Sequence, residues 1–421
     1  FLGSALLGVV RQVLLNARFG LGPESAAYYA AFRLPETIAL LIAGGALTNA
    51  LVPVMLRAER ERGREAALRV VNLALTALLA LFAPLCAAAA LGAPFLVRTL
   101  LAPGLDPATQ ALAANLGRIM LLEVLLTITE AALVAVLISR NRVLLPALAV
   151  ATRNVTLLAG VGLAIAVPEV GIYGPTVGSI FDALLQLVII APGLRRRGFR
   201  PRLIWAPRDP DLRAAARLLW PNAVAAGSTY AGQIVDTAFA TLTGVAATLG
   251  ALVNALLLVG LPIRLFGIAI GQALLPRAAL LHLRGDLVGQ RRLLARTLLL
   301  TCSLGALAAA ALIALGRPMV ALLFERGAFD AAAGDLTYTL LAVYALGLPA
   351  YVASEVATRA LVAAHDAHTP MLTNLAQLAA RAVLCAALIG PLGPTAIPAA
   401  MVISSAAEAV ALLAVLRWRL G

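Results

Sequence analysis

Charged side chains are scarce in this chain, and those lying inside its apolar runs are the residues that could do chemistry. Arg11 stands in LLGVVRQVLL, Arg33 and Glu36 in AFRLPETIALL, and Arg264 in LPIRLFGIAIGQ. Asp236 and Thr237 sit together in QIVDTAF, and Asn374 lies in MLTNLAQ. The other charges within apolar runs are Glu123, Glu130, Arg153, Asp182, Glu355, Arg359, Arg381 and Glu408. A charge inside a bilayer is costly, so each is a functional candidate. Arginine presents a planar fork that pairs bidentately with phosphate oxygens and stays charged when partly desolvated.

Spacing sorts these groups. Arg33 and Glu36 are three apart and can meet on one helix face, either closing an outer gate or snorkelling at the interface. Glu355 and Arg359 have the i,i+4 spacing of an internal ion pair. Glu123 and Glu130, seven apart, share a face, and most remaining charges read as structural partners. Asp236 is an isolated acid in an apolar setting. His365 and His368 flank Asp366 in AAHDAHTP. Turn chemistry explains that cluster better than a metal site, with Asp366 and Thr369 capping a helix before Pro370. Cys86, Cys302 and Cys385 lie far apart, show no metal spacing, and read as small core residues outside any disulfide. There is no Walker-type loop and no nucleophile–base constellation, so no enzyme and no ATP-driven pump is expected.

The elements that carry these residues follow from composition. The 421 residues are 62% hydrophobic and 13% charged, whereas a soluble domain is about half apolar and about a quarter charged. Runs such as VVNLALTALLALFAPLCAAAALGAPFLV (70–97) are apolar on every face and long enough to span a bilayer. A transmembrane β-barrel would show alternating segments of about ten residues instead. The expectation is an all-α integral membrane protein with about twelve spans. They fall near 1–17, 26–56, 66–97, 109–138, 146–167, 173–194, 213–243, 247–281, 292–324, 333–364, 370–390 and 395–418. The chain opens inside an apolar run, FLGSALLGVV, without a basic leader, which suggests a first helix lacking its first turn or two.

All 33 basic residues are arginine, and the formal net charge is +13. That charge sits in loops between spans, so nucleic acid is not the expected partner. Alternate loops hold RAERERGRE, SRNR, LRRRGFRPRLIWAPRDPDLR, HLRGDLVGQRR and RWRLG, while the intervening ones hold few arginines. The basic set faces the cytoplasm, which puts both termini inside. The longest basic connection divides the chain into a six-helix lobe over 1–195, a linker over 196–212 and a second six-helix lobe over 213–421. AGGALTNALVPVMLRAERERGREAALRVV can be laid over GIAIGQALLPRAALLHLRGDLVGQRRLLA, with Pro53 on Pro276 and Gly44 on Gly267. The lobes therefore read as a parallel pseudo-two-fold repeat around a central cavity, a plan used by secondary transporters.

Four stretches, in order and spacing, carry a family resemblance: LLGVVRQVLLNARFG, AFRLPETIALLIAGGALTNALVPV, LPIRLFGIAIGQALLP and LLFERGAFDAAAGDLTYTLLAVYALGLPAYVASEVATRALVAAHDAHTP. Together they resemble the MurJ/MviN family of lipid II flippases, within the multidrug/oligosaccharidyl-lipid/polysaccharide exporter superfamily. The resemblance implies a bacterial inner-membrane protein of peptidoglycan biosynthesis. It would move a polyprenyl-pyrophosphate-linked precursor to the outer leaflet by alternating access. It would act without a resident cofactor, as a monomer, with cell-wall synthesis proteins as potential partners. The resemblance places Arg11, Arg33 and Arg264 as substrate ligands, Arg264 standing two turns from the family's usual position at Leu257. It also suggests sodium or proton coupling through Asp236, with Thr237 or Asn374. Ala5, Ala26, Gly44, Leu257 and Gly260 stand where the family keeps polar cavity residues, and two further C-terminal helices of many members do not appear. The alternatives are an exporter of other lipid-linked glycans or of small cations, and a transport-inactive scaffold in cell-wall assembly.

Overall fold

The computed structural model describes residues 2–43, 46–140, 142, 144–195 and 198–419. These are helical almost throughout, with no strand among the described residues. The helices are α1 (Leu2–Phe19), α2 (Pro23–Ala43), α3 (Ala46–Arg62), α4 (Arg64–Leu91), α5 (Ala93–Leu96), α6 (Pro107–Ile138), α7 (Leu144–Ala166) and α8 (Tyr173–Arg195). They continue with α9 (Pro210–Leu242), α10 (Thr248–Pro262), α11 (Ala269–Leu283), α12 (Leu287–Phe324), α13 (Ala331–Leu346), α14 (Leu348–Ala363), α15 (His368–Leu392) and α16 (Ala396–Arg419). Gly44 and Gly45, prominent in the sequence, lie outside the described residues.

Local chemistry explains where helices begin. Asp106 accepts hydrogen bonds from the Ala108 and Thr109 amides, and Pro107 follows at the first helical position of α6. Asp330 caps α13 through the Ala333 amide, and Asp286 caps α12 through the Gly289 amide. The span expected over 333–364 is instead two helices, α13 and α14, bent by 47°. Gly347 sits at the break and Pro349 follows, where it has no N–H to give to the preceding turn. The span expected over 247–281 is continuous but contains a π-helical turn, Ile263–Ile268, which carries Arg264.

By length and composition, seven described helical stretches can cross a membrane, or eight with the bent α13–α14 pair. This measure does not reach the twelve spans expected, for two physical reasons. One of the seven stretches, His368–Arg419, is 52 residues long and holds both α15 and α16. The expected first, second and seventh spans correspond to α1, α2 with α3, and α9, whose polar residues dilute their hydropathy.

The described chain forms two compact units. The first takes the residues up to Phe19 and Pro23–Ile234, and the second takes Gly20–Gly22 and the residues from Val235 onward. In the first unit, α6 is the central column and packs against α2, α4 and α8. Leu116, Met120, Ile128, Ala132 and Ala135 of α6 are all fully or almost fully buried. Beside it, α7 and α8 approach closely at glycines. A Cβ added at Gly174 would stand 2.5 Å from the Gly160 carbonyl oxygen, and one added at Gly160 would stand 2.6 Å from the Gly174 carbonyl oxygen. Small residues at helix crossings allow such approach in membrane bundles. In the second unit, α14 is the inner helix and packs against α11, α12 and α16. Its Val352, Val356, Ala357 and Leu361 are fully buried.

The basic connection before α9 is not a free loop. Asn72 donates to the Arg200 carbonyl and accepts from the Arg202 amide, while the Thr76 hydroxyl accepts from the Ile204 amide. Arg62 pairs with Asp211, and Arg69 with Asp209. The connection is thus laid along α4. Asn72 and Thr76, polar residues within the apolar run of α4, satisfy its backbone.

Candidate functional site

In the first unit, polar groups from six helices converge. On α1, Gln12 donates to Asn16 at 3.2 Å and to the Tyr29 hydroxyl at 2.6 Å. Arg11, one residue earlier, is half-buried, and its charge reaches the buried Tyr28. Glu123, Arg153 and Glu36 act electrostatically on the same tyrosine. Arg33 donates to Glu36 at 3.1 Å, as the spacing predicted, and also to Gln233 of α9 at 3.1 Å.

Next to this pair lies a cavity of about 120 Å³, lined by Phe32, Pro35 and Glu36 of α2, Glu123, Thr127 and Glu130 of α6, Arg153 of α7, and Asp182 and Gln186 of α8 among others. Asp182 is 3% exposed, and Glu123 and Glu130 are 9% exposed. Asp182 is held on both oxygens, by Thr156 at 3.0 Å and by Gln186 at 2.7 Å. The Ser179 hydroxyl donates to the Thr176 carbonyl at 2.9 Å, and Glu123 Oε2 has no hydrogen-bond partner among the described residues. Arg153 is the one cation among the described residues lining the cavity.

The second unit treats its buried charges differently. Asp236 of α9 is in an ion pair with Arg381 of α15, both almost fully buried. Thr237 is buried beside it. Asn374 lies seven residues, or two turns, before Arg381 on α15 and takes no part in the Asp236–Arg381 pair. Glu355 and Arg359 form the i,i+4 pair at 3.4 Å. Gly267 and Gly271 leave room for that pair, since a Cβ at Gly271 would lie 3.1 Å from Arg359 Cγ. Arg264 is exposed, and Leu257 and Gly260 are half-buried, whereas Ala26 of the first unit is buried. Arg11 and Arg264 make no salt bridge among the described residues, in contrast to Arg33, Arg359 and Arg381.

Asp366 performs the turn chemistry read from its neighbours. It accepts from the His368 amide at 3.1 Å, and from the Thr369 amide at 3.0 Å and hydroxyl at 2.5 Å. His365 adopts a left-handed backbone with φ 59°, which makes the turn. Arg419 closes a salt bridge to Asp366 at 2.7 Å. Burial alone would raise this carboxyl, but the Thr369 bonds and the Arg419 charge hold it below the usual carboxylate range.

A family model described as the lipid II flippase MurJ matches residues 15–421. The chain belongs to the MurJ family. It is 31% identical, over 99% of its own length and 79% of the relative's, to a protein of Rhizobium meliloti named "Probable lipid II flippase MurJ". Its fold matches a solved structure of "Lipid II flippase MurJ, inward closed conformation" with a TM-score of 0.85, at 21% identity, over 98% of this chain and 86% of that one. An inward-facing multidrug resistance MATE transporter matches with the same TM-score of 0.85 at 14% identity, over 99% of this chain and 94% of that one. MurJ membership makes this a multi-pass protein of the bacterial inner membrane, in keeping with its apolar helices.

Within this MurJ-family chain, the sequence reads Asp236 as an isolated acid, whereas the fold pairs it with Arg381. A census of lone intramembrane charges points to some such pairing without saying which. The meeting of Glu123 and Glu130 with Asp182 is likewise a product of the α6–α8 packing, not of any spacing along the chain.

Proposed function

We propose that this protein is an alternating-access flippase for lipid II, carrying the polyprenyl-pyrophosphate-linked precursor from the cytoplasmic to the outer leaflet. The family match over residues 15–421 supports the substrate class. The observation that carries the ligand assignment is the state of the arginines. Arg11 and Arg264 lie within apolar helices without a salt bridge among the described residues, so their guanidinium forks remain available for pyrophosphate oxygens. Arg33, already held by Glu36 and Gln233, acts in the gate and meets the head group only when that pair opens. The arginine-rich alternate loops support cytoplasmic termini. The protein acts as a monomer that delivers its cargo to cell-wall synthesis proteins, and no covalent step belongs to its cycle. Coupling through Asp236, Thr237 and Asn374 remains part of the proposal, with a specific demand. A sodium ion or proton at Asp236 must compete with the Arg381 guanidinium.

Native mass spectrometry of the purified protein tests the ligand assignment. The expected result is a retained undecaprenyl-pyrophosphate-linked lipid, with binding weakened about 10- to 100-fold in Arg11→Ala, as for loss of a hydrogen bond to a charged group. No bound precursor, or unchanged binding in the variant, overturns it. Export of a small organic cation has one observation in its favour, the acid-lined cavity of the first unit. At about 120 Å³ that cavity is well below the roughly 300–1,000 Å³ of sites that enclose drug-sized molecules.

A further inference from the structure

The basic connection between α8 and α9 presents a surface that the proposed transport cycle does not use. Residues 199–209 form no helix. Main-chain groups fasten them to α4, through the Arg200 carbonyl, the Arg202 amide and the Ile204 amide. The two amides reach Asn72 and Thr76, one helical turn apart. Four helical residues rise about 6 Å, and two residues of extended chain cover about 6.6 Å. The chain therefore climbs along the axis of α4 from Arg202 to Ile204. It then turns back, since Asp209 pairs with Arg69 of α4 and Asp211 with Arg62 at the end of α3. Trp205 sits at the tip of this loop, which points up α4 into its apolar run, 70–97.

The side chains of the tip are sorted by the same geometry. Period two along an extended chain puts Leu203 and Trp205 on one side and Ile204 and Ala206 on the other. Leu203 is 76% and Trp205 69% exposed, whereas Ile204 and Ala206 are half-buried. At the root of the loop, Phe199 is buried in the first unit's core. Arg200, Arg202 and Arg208 flank the tip and are exposed. None of the three takes part in a salt bridge among the described residues, and the connection's own acids, Asp209 and Asp211, are taken by Arg69 and Arg62.

A tryptophan and a leucine held out above a collar of arginines match the headgroup layer of a bilayer. An indole settles at headgroup depth, and guanidinium forks take phosphate oxygens. The proposed topology gives the arginine-rich end of α4 to the cytoplasmic leaflet, where anionic lipids concentrate. The fastened backbone favours binding further, because a tip already held in place loses little freedom. We propose that the 200–208 loop is a docking site for an anionic phospholipid. Trp205 and Leu203 seat among its acyl chains near the head group, and Arg200, Arg202 and Arg208 hold its phosphate. The site is separate from that of the transported substrate, and only its assignment to the cytoplasmic leaflet rests on the flippase reading.

Trp205 is the probe. The full chain is reconstituted, without any lipid-linked precursor, in phosphatidylcholine bilayers that contain a fixed mole fraction of brominated lipid. That lipid is phosphatidylglycerol in one arm and phosphatidylcholine in the other, and it is present in both leaflets. Bromine quenches indole on contact, and the Trp205 signal is the difference between the parent and Trp205→Phe. Brominated phosphatidylglycerol should bind beside Trp205 at least about fivefold more favourably than brominated phosphatidylcholine, the equivalent of one arginine near an anionic surface. The preference should fall in Arg200→Gln, Arg202→Gln and Arg208→Gln singly, and the triple variant should bring the two lipids to parity. These variants keep the main-chain bonds to Asn72 and Thr76, so the loop stays in place. Equal quenching by the two lipids in the parent, or a preference that survives the triple variant, overturns the proposal. So does a Trp205 signal quenched by aqueous iodide and by neither lipid, which would turn the tip toward water or a soluble partner.

Discussion

The two units bury acids in opposite ways. In the second, the buried Asp236 is matched to Arg381, and the partly exposed Glu355 to Arg359. In the first, Glu123, Glu130 and Asp182 share a cavity in which Arg153 is the one cation among the described residues. A paired acid is a structural element whose value lies in its partner. A cluster of acids short of cations leans on neutral donors instead, as Asp182 does on Thr156 and Gln186. The same residue type in the same kind of apolar helix thus takes different roles, decided by what the neighbouring helix contributes.

The sharpest way to break this contrast is to unpair the second unit. Arg381→Leu leaves Asp236 as an uncompensated buried charge and should cost about 3–5 kcal/mol. The double variant Arg381→Leu with Asp236→Asn should recover most of that loss. Chemical unfolding of the detergent-solubilised protein measures both, and an Arg381→Leu chain of unchanged stability would refute the pairing.

A smaller loss is expected where the first unit's cavity is built. Thr156 and Arg153 of α7 meet Asp182 of α8 only because the helices touch at Gly160 and Gly174. Gly174→Ala forces a methyl against the Gly160 carbonyl and should cost about 1–3 kcal/mol. It should also loosen the Thr156 to Asp182 bond, visible as faster hydrogen exchange in α8. Glu130→Gln should show the opposite sign. Removing one of several crowded carboxylates should raise stability by on the order of 1 kcal/mol at pH 8. A loss comparable to that of Arg381→Leu would mean that Glu130 is paired and would erase the contrast between the units.

The smallest effect belongs to an acid outside both sites. Asp366→Ala removes a helix cap and should cost about 1 kcal/mol. Because the folded carboxyl is held below its ordinary value, its contribution is present above the unfolded value, near pH 4, and fades as pH falls through the folded one. Melting curves from pH 7 to pH 3 should show the variant and parent converge in acid.

Much of this molecule is legible in sequence because much of it is local. Apolar runs ended by glycine, proline and capping acids delimit helices, and α6, α7, α8, α15 and α16 lie within a few residues of their expected bounds. Arg33 with Glu36, Glu355 with Arg359, and Asp366 with Thr369 follow from helix and turn geometry, since residues three or four apart must meet. The bend at Gly347 was not read, because a glycine and a proline inside an apolar run are equally compatible with a straight span.

What sequence could not decide is every meeting between distant helices. Asp236 and Arg381 are 145 residues apart, and nothing in either segment names the other. Asn72 and Thr76 look like tolerated polar residues in an apolar span until the connection before α9 is seen to lie on them. Glu123, Glu130 and Asp182 become a cavity only when α8 packs on α6. The sequence by itself determined the membrane class and the short-range pairs, through composition and helical spacing, and pointed to the family through the resemblance of four stretches. Tertiary packing alone decided which buried charges are neutralised and which are left facing a cavity, because that depends on which helix faces are pressed together.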